Sequence, residues 1–205
     1  MWEMNPTLSD NELIENASNG NRSAFETLYM KYKVKIFNYV YRLSGDRGAA
    51  EEITQKTFIN VYRHLHQYRP GRSAAPWIYR IAQNFTRHHF KQRTHTPEMI
   101  SIHEEKNEQE PGNLEDSLSA KGPNPLDTLK AREYSEAIQK LISTLPEKYR
   151  AVLILHDIQE LSYEEIQDIL RIPYNTAAGR LAKARMMLKK RIDPKKFNIE
   201  FYFSY

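Results

Sequence analysis

Residues 162–191 read SYEEIQDILRIPYNTAAGRLAKARMMLKKR, and this stretch decides the fold. Ser162 followed three residues later by Glu165 fits a capping box, in which hydroxyl and carboxylate satisfy the free amides of a helix start. That helix runs to Leu170. The connection Arg171-Ile172-Pro173-Tyr174 is short and contains proline, and a second helix follows from Asn175 to Arg191. Two helices joined by so tight a corner make a helix-turn-helix. The second one carries Arg180, Lys183, Arg185, Lys189, Lys190 and Arg191. A recognition helix places its early residues at base edges and its later cations on phosphates, the term that dominates affinity. The competing reading is a solvated basic helix, but the cap, the turn and the basic run agree on DNA.

Upstream of this pair, helices are expected from Glu133 to Ser143 and from Pro146 to Asp157. The first half of the chain is helical as well. Ser9 with Glu12 and Ser23 with Glu26 repeat the capping-box spacing. From Ser23, the residues Phe25, Leu28, Tyr29, Tyr32, Ile36, Val40 and Leu43 recur at helical spacing until Gly45. A further helix from Ala49 to Leu65 has the apolar face Ile53, Thr57, Phe58, Val61, Tyr62 and Leu65, with Glu51, Glu52, Gln55 and Lys56 directed elsewhere. After the turn at Pro70-Gly71, a long helix begins near Pro76, which suits the first helical position. Trp77 is assigned to the core.

Charge divides the 205 residues into three blocks. Residues 1–93 hold 14 basic and 8 acidic side chains, 94–130 hold 3 and 8, and 131–205 hold 13 and 10. The acidic middle contains Pro97, Pro111, Gly112, Gly122, Pro123 and Pro125 and few large apolar residues, so it reads as a linker unable to offset its ordering entropy. The expected architecture is all-α: a domain at 1–93, an acidic flexible linker at 94–130, a helix-turn-helix domain at 131–192 and an aromatic tail at 193–205. In the tail, Phe197, Ile199, Phe201 and Phe203 alternate in strand-like fashion, as an appendage packed on the second domain would.

A mean hydropathy of -0.72 and a longest aliphatic run from Ala151 to Leu155 exclude a bilayer span, which needs about 20 apolar residues. No signal peptide opens the sequence, and a cytoplasmic location is expected. With no cysteine, disulfides and thiolate zinc sites are excluded. The seven histidines show no metal spacing, and neither a glycine-rich phosphate loop nor a GxSxG elbow is present. No catalytic residue, cofactor or metal is therefore expected.

In the helix from Pro76, the residues Arg80, Asn84, Arg87 and Lys91 fall at i, i+4, i+7 and i+11 and form one stripe, opposite Ile78, Ile81, Ala82 and Phe85. The preceding loop supplies Tyr68, Arg69, Arg72 and Ser73, an aromatic among cations suited to unstacked bases. A solvated charged face is the plainer alternative.

Asp46 to Phe58 (DRGAAEEITQKTF), Trp77 to Asn84 (WIYRIAQN) and Leu145 to Arg185 together resemble the extracytoplasmic-function class of bacterial sigma factors. The resemblance implies a non-enzymatic subunit that joins core RNA polymerase and directs it to promoters. It implies that Glu51, Glu52 and Gln55 dock on the clamp coiled coil of the largest polymerase subunit. Tyr68, Arg69, Arg72 and Ser73, with Arg80, Asn84, Arg87 and Lys91, would engage the proximal promoter element and its separated non-template strand. Asn175, Thr176, Ala178, Arg180, Lys183 and Arg185 would meet the distal element as duplex. The linker would thread along the active-site channel, and an anti-sigma factor is a further partner. Two departures stand out. Relatives usually carry a large apolar and a basic residue where this chain has Ala74 and Ala75, and Asn175-Thr176-Ala177-Ala178-Gly179-Arg180 lacks a cation common in the recognition helix. A helix-turn-helix regulator with a sensory first domain, a nucleic-acid enzyme, and a polymerase-binding protein without melting activity are the competing readings.

Overall fold

The computed structural model describes residues 8–69, 73–95 and 135–191. Helix α1 spans Asp10–Ser18, α2 Arg22–Ser44, α3 Arg47–Arg63 and α4 Ala74–His95. In the second half α5 covers 135–143, α6 Glu147–Leu153, α7 Tyr163–Leu170 and α8 Tyr174–Lys189. The fold is all-helical across the described residues, as the sequence implies. The Arg72 position, residues 96–130 of the linker and the aromatic tail lie outside them.

Local chemistry sets most helix boundaries. Ser9 and Glu12 exchange both capping-box bonds at the start of α1, and Ser162 and Glu165 do the same for α7. Ser23 does not cap α2. The cap lies two residues earlier, because Asn21 Oδ1 accepts from the Ala24 amide at 3.1 Å, while Glu26 turns to Arg22 at 3.0 Å. Asn is as good an N-cap as Ser. Asp46 likewise starts α3 two residues before Gly48-Ala49, accepting from the Ala49 amide at 3.0 Å. Gly45 closes α2 at φ 73°, a left-handed conformation suited to glycine, with its amide donating to the Tyr41 carbonyl at 2.7 Å. Helix α4 begins at Ala74, so Pro76 is its third residue; its missing N–H lies in the first turn, where amides have no intrahelical partner. In the helix-turn-helix, Arg171 ends α7 at φ 55°, and Tyr174, not Asn175, opens α8 behind Pro173.

The Pro146–Asp157 helix departs most from expectation. After Leu153 it widens into a π turn over Ile154–Ile158, closed by the Gln159 amide donating to the Ile154 carbonyl at 2.9 Å. Such a turn adds a residue per cycle and rotates everything after it.

In the first domain Leu28, Ile36, Tyr39, Val40 and Leu43 of α2 are buried with Ile53, Phe58 and Val61 of α3 and Ile78, Tyr79 and Ala82 of α4. Asp10 pins α1 to α2 through Lys31 and the Tyr32 hydroxyl, both at 2.5 Å. Two expected core positions face outward instead. Tyr62 is 58% and Tyr29 38% exposed, each meeting one ring of the neighbouring helix edge-on, Phe25 and Phe58 respectively. Trp77 is only partly buried, its ring 5.2 Å from that of Tyr68. In the second domain Leu145, Ile154, Leu155, Ile166 and Leu181 form the centre.

The two domains touch. Arg150 of α6 spreads over the ends of two helices: its Nη1 donates to the Leu43 carbonyl of α2 at 2.7 Å, and its Nη2 to the Ser143 and Leu145 carbonyls at 2.6 and 2.8 Å. Gln139 Nε2 adds bonds to the Tyr41 and Arg42 carbonyls at 3.4 and 3.3 Å. A cation at helix C-termini both satisfies free carbonyls and meets the negative end of the dipole. Replacing Arg150 by Met should therefore cost about 1 to 3 kcal/mol, read as a lower thermal midpoint. Gly179→Ala should act oppositely, since a Cβ there meets nothing within 4 Å and alanine is the better helix former by about 1 kcal/mol. A raised midpoint for this variant checks that α8 is a regular helix through its glycine.

Candidate nucleic-acid interface

Along α4 the stripe is real but its members differ. Asn84, Arg87 and Lys91 face solvent. Arg80 does not: its Nε donates to the Asp168 carbonyl of α7 at 2.6 Å, and its Nη2 stands 3.7 Å from the Asp168 carboxylate. The opposite side of α4 holds Ile78 and Ala82 buried, with Ile81 and Phe85 partly so, as the spacing implies. Two buried polar residues escaped the sequence reading. Tyr39 of α2 donates to Gln83 Oε1 at 2.5 Å, and its ring meets Tyr79 edge-on at 5.3 Å. The Tyr79 hydroxyl continues into the second domain, donating to Gln159 Oε1 at 2.5 Å. Burial pushes both phenols well above the usual tyrosine range, so they remain neutral donors.

The loop before α4 is less free than its composition suggests. Tyr68 is half-buried, its hydroxyl donates to Asn11 of α1, and its ring leans on Trp77. Ser73 Oγ donates to Glu165 Oε1 at 3.0 Å, joining the loop to the cap of α7. Arg69 is exposed.

On α8 the buried side is Ala177, Leu181, Ala184 and Leu188. Asn175, Gly179 and Lys183 are exposed, and Thr176, Ala178 and Arg180 are half-buried at the margin of that exposed face. Arg185 is tied inward. Its Nε and Nη2 grip the two oxygens of Asp157 at 3.1 and 2.6 Å, a forked pair that fixes α8 against the π turn. Its Asp157 hydrogen bond raises the guanidinium pKa further, so the charge is permanent. Tyr174, exposed at the first position of α8 and 5.0 Å from the Tyr163 ring, was missed because a tyrosine beside proline reads as turn.

On α3, Glu51, Glu52 and Gln55 are exposed. Arg47 pairs with Glu51 at 3.1 Å and Lys56 with Glu52, whose carboxyl is held below its usual range by that lysine. The exposed row continues through Ile59, 45% exposed, to Tyr62, so Glu51, Gln55, Ile59 and Tyr62 form one stripe, polar at one end and apolar at the other. Phe25 and Tyr29 of α2 support its apolar end through edge-on contacts with Tyr62 and Phe58, each at 4.9 Å. Sequence periodicity gave Tyr62 to the core because it lies beside Phe58 and Val61 on the helical wheel.

Among the described residues no His, Asp and Glu group could hold a metal ion, and no helix is long and apolar enough to cross a membrane. The family model for sigma-70 region 2 matches residues 28–96, and that for sigma-70 region 4 matches residues 135–188. The ECF RNA polymerase sigma factor SigW of Bacillus subtilis is 34% identical over 179 residues, covering 87% of this chain and 94% of that protein. The RNA polymerase sigma-H factor of Pseudomonas aeruginosa is 30% identical over 187 residues, covering 90% and 94%. Among solved structures, CnrH bound to the cytosolic domain of CnrY superposes with a TM-score of 0.64 at 20% identity, over 88% of this chain and 95% of that one. RpoE of Bartonella quintana, solved with the anti-sigma factor NepR, gives 0.59 at 18% identity, over 81% and 94%. The chain belongs to the ECF family of RNA polymerase sigma factors, non-enzymatic subunits that direct RNA polymerase to promoters.

Proposed function

We propose that the first domain docks on core polymerase through α3 and holds the opened proximal promoter element along α4, while α8 reads the distal element as duplex. The observation that carries this division is the separation of exposed faces. The stripe Glu51, Gln55, Ile59 and Tyr62 on α3 is distinct from Asn84, Arg87 and Lys91 on α4. Polymerase docking then has two parts: carboxylates and an amide for hydrogen bonds, and a supported aromatic of the kind that supplies most binding energy at an interface. Glu52 and its Lys56 partner lie on the margin of that stripe.

On α4 the cations Arg87 and Lys91 contact phosphates and Asn84 a base edge, with Arg69 joining from the loop. Tyr68, Arg72, Ser73 and Arg80 belong to the same proposed surface. On α8, Asn175, Thr176, Ala178 and Arg180 lie where base edges would come, with Tyr174 added at the first position. Lys183 contacts phosphate, and Arg185 acts by holding the helix in place. The acidic linker spans the distance between the two elements, the protein works in the cytoplasm where the polymerase is, and an anti-sigma factor is its inhibitory partner. The RpoE protein named above was solved with one.

Three outcomes test these assignments. Alanine at Glu51, Glu52 and Gln55 together, or Tyr62→Ala alone, should each weaken binding to core polymerase about tenfold in a fluorescence titration, with the thermal midpoint changed little at these exposed positions. Unchanged affinity in both removes the docking assignment. Charge reversal at Arg87 and Lys91 should leave the holoenzyme intact but abolish permanganate reactivity of unpaired thymines at the start site; normal reactivity returns the stripe to a solvated face. Arg180→Ala should flatten the preference of the protein for matched over scrambled distal duplex, by about 1 to 3 kcal/mol if the arginine grips a guanine. Full discrimination in that variant would mean that Arg180 reads no base.

A further inference from the structure

Tyr174 is the largest side chain on the first turn of α8, and the core does not take it in. It is 45% exposed, and among the described residues of the second domain only Met186 is another large apolar side chain left so open. One flank of the ring is nevertheless held. Its centroid lies 5.0 Å from that of Tyr163 at the start of α7, and the Tyr163 ring lies 4.8 Å from that of His156 in the π turn. His156 Nδ1 stands 2.9 Å from Asp157 Oδ1, and Asp157 is the carboxylate that Arg185 of α8 grips. The support of the ring thus begins and ends on α8. Further along that helix the side chains are small: Ala178, one turn on, offers only a methyl, and a Cβ placed at Gly179 would meet nothing within 4 Å. Nothing beyond Tyr174 on that side of the helix screens its ring.

We propose that Tyr174 is a specificity-determining residue, its ring packing on the C5-methyl group of a thymine in the distal element. The proposal rests on the assignment of α8 to that element. The first residues of a recognition helix meet base edges, and the thymine methyl is the apolar group that those edges present in the major groove. An aromatic ring suits it, and the phenol hydroxyl can remain in the hydrated groove. Tyrosine has few side-chain torsions to lose, and contact with Tyr163 restricts them before DNA arrives, so little ordering cost opposes the contact. The exposed cations of α8 that suit phosphate lie further along, at Lys183 and beyond. A phenol bonded to phosphate is the other use of a tyrosine at this position, and it would carry no sequence information.

The full chain, reconstituted with core polymerase, is used to enrich binders from a pool of random-sequence duplexes. In the most enriched duplex each thymine is then replaced singly by deoxyuridine, which removes the methyl and leaves base pairing intact. At one thymine of the distal element this change should weaken binding about fourfold, the worth of one buried methyl. Tyr174→Phe should show the same loss. Tyr174→Ala should bind the thymine and uracil duplexes equally, with a thermal midpoint close to that of the parent because the position is exposed. If no thymine couples to residue 174 in this way, the ring reads no methyl and the proposal falls. It falls also if Tyr174→Phe weakens binding to every duplex as much as Tyr174→Ala does, the outcome of a phenol bonded to phosphate. In both cases the assignment of α8 stands as long as Arg180→Ala loses preference for the enriched duplex. A parent that enriches no sequence removes that assignment and this proposal together.

Discussion

The last carbonyls of α2 point out of their helix and need partners, and the second domain supplies them. Arg150 and Gln139 reach the carbonyls of Tyr41, Arg42 and Leu43, and Arg150 at the same time closes the end of α5. A guanidinium that bonds several carbonyls is costly to displace, because every freed group must find water or another donor. Burial lowers the Arg150 pKa, yet its ordinary value is so high that it keeps its charge. Beside this anchor lie the other interdomain bonds, from Ser73, Tyr79 and Arg80 to Glu165, Gln159 and Asp168.

A buried chain of neutral polar groups carries the same relation through the core. Tyr39 binds Gln83 and meets the Tyr79 ring edge-on, and Tyr79 binds Gln159 beyond the domain boundary. Each such bond contributes about 1 kcal/mol net, too little to weld the domains but enough to choose one docking geometry. Interfaces of this kind, small and rich in polar groups, leave relative domain motion as the expectation. Within the second domain, by contrast, the Arg185–Asp157 fork ties α8 to the π turn, so α8 moves with its domain and not against it.

Local signals in the sequence were read well and long-range ones were not, for a physical reason. The boxes at Ser9 and Ser162 and the glycine at 45 act within one helical turn, so spacing reveals them. Ser23 misled because Asn21, an equal acceptor, came first. The π turn left no trace, since nothing in Ile154 to Ile158 marks a widened turn in the sequence. Arg185 and Arg80 look like free cations in a sequence because Asp157 and Asp168 lie 28 and 88 residues away. The same limit hid Tyr62: periodicity shows that an aromatic lies near an apolar face, and only packing shows that it lies outside it.

As a sigma factor, this chain converts core polymerase into an enzyme that starts at particular promoters. Reconstitution with core polymerase and run-off transcription over fragments of the genome of origin tests it most directly. Discrete transcripts are expected from a small subset of fragments, absent when the chain is left out. Folded protein that binds core polymerase but yields no specific start on any fragment would contradict it.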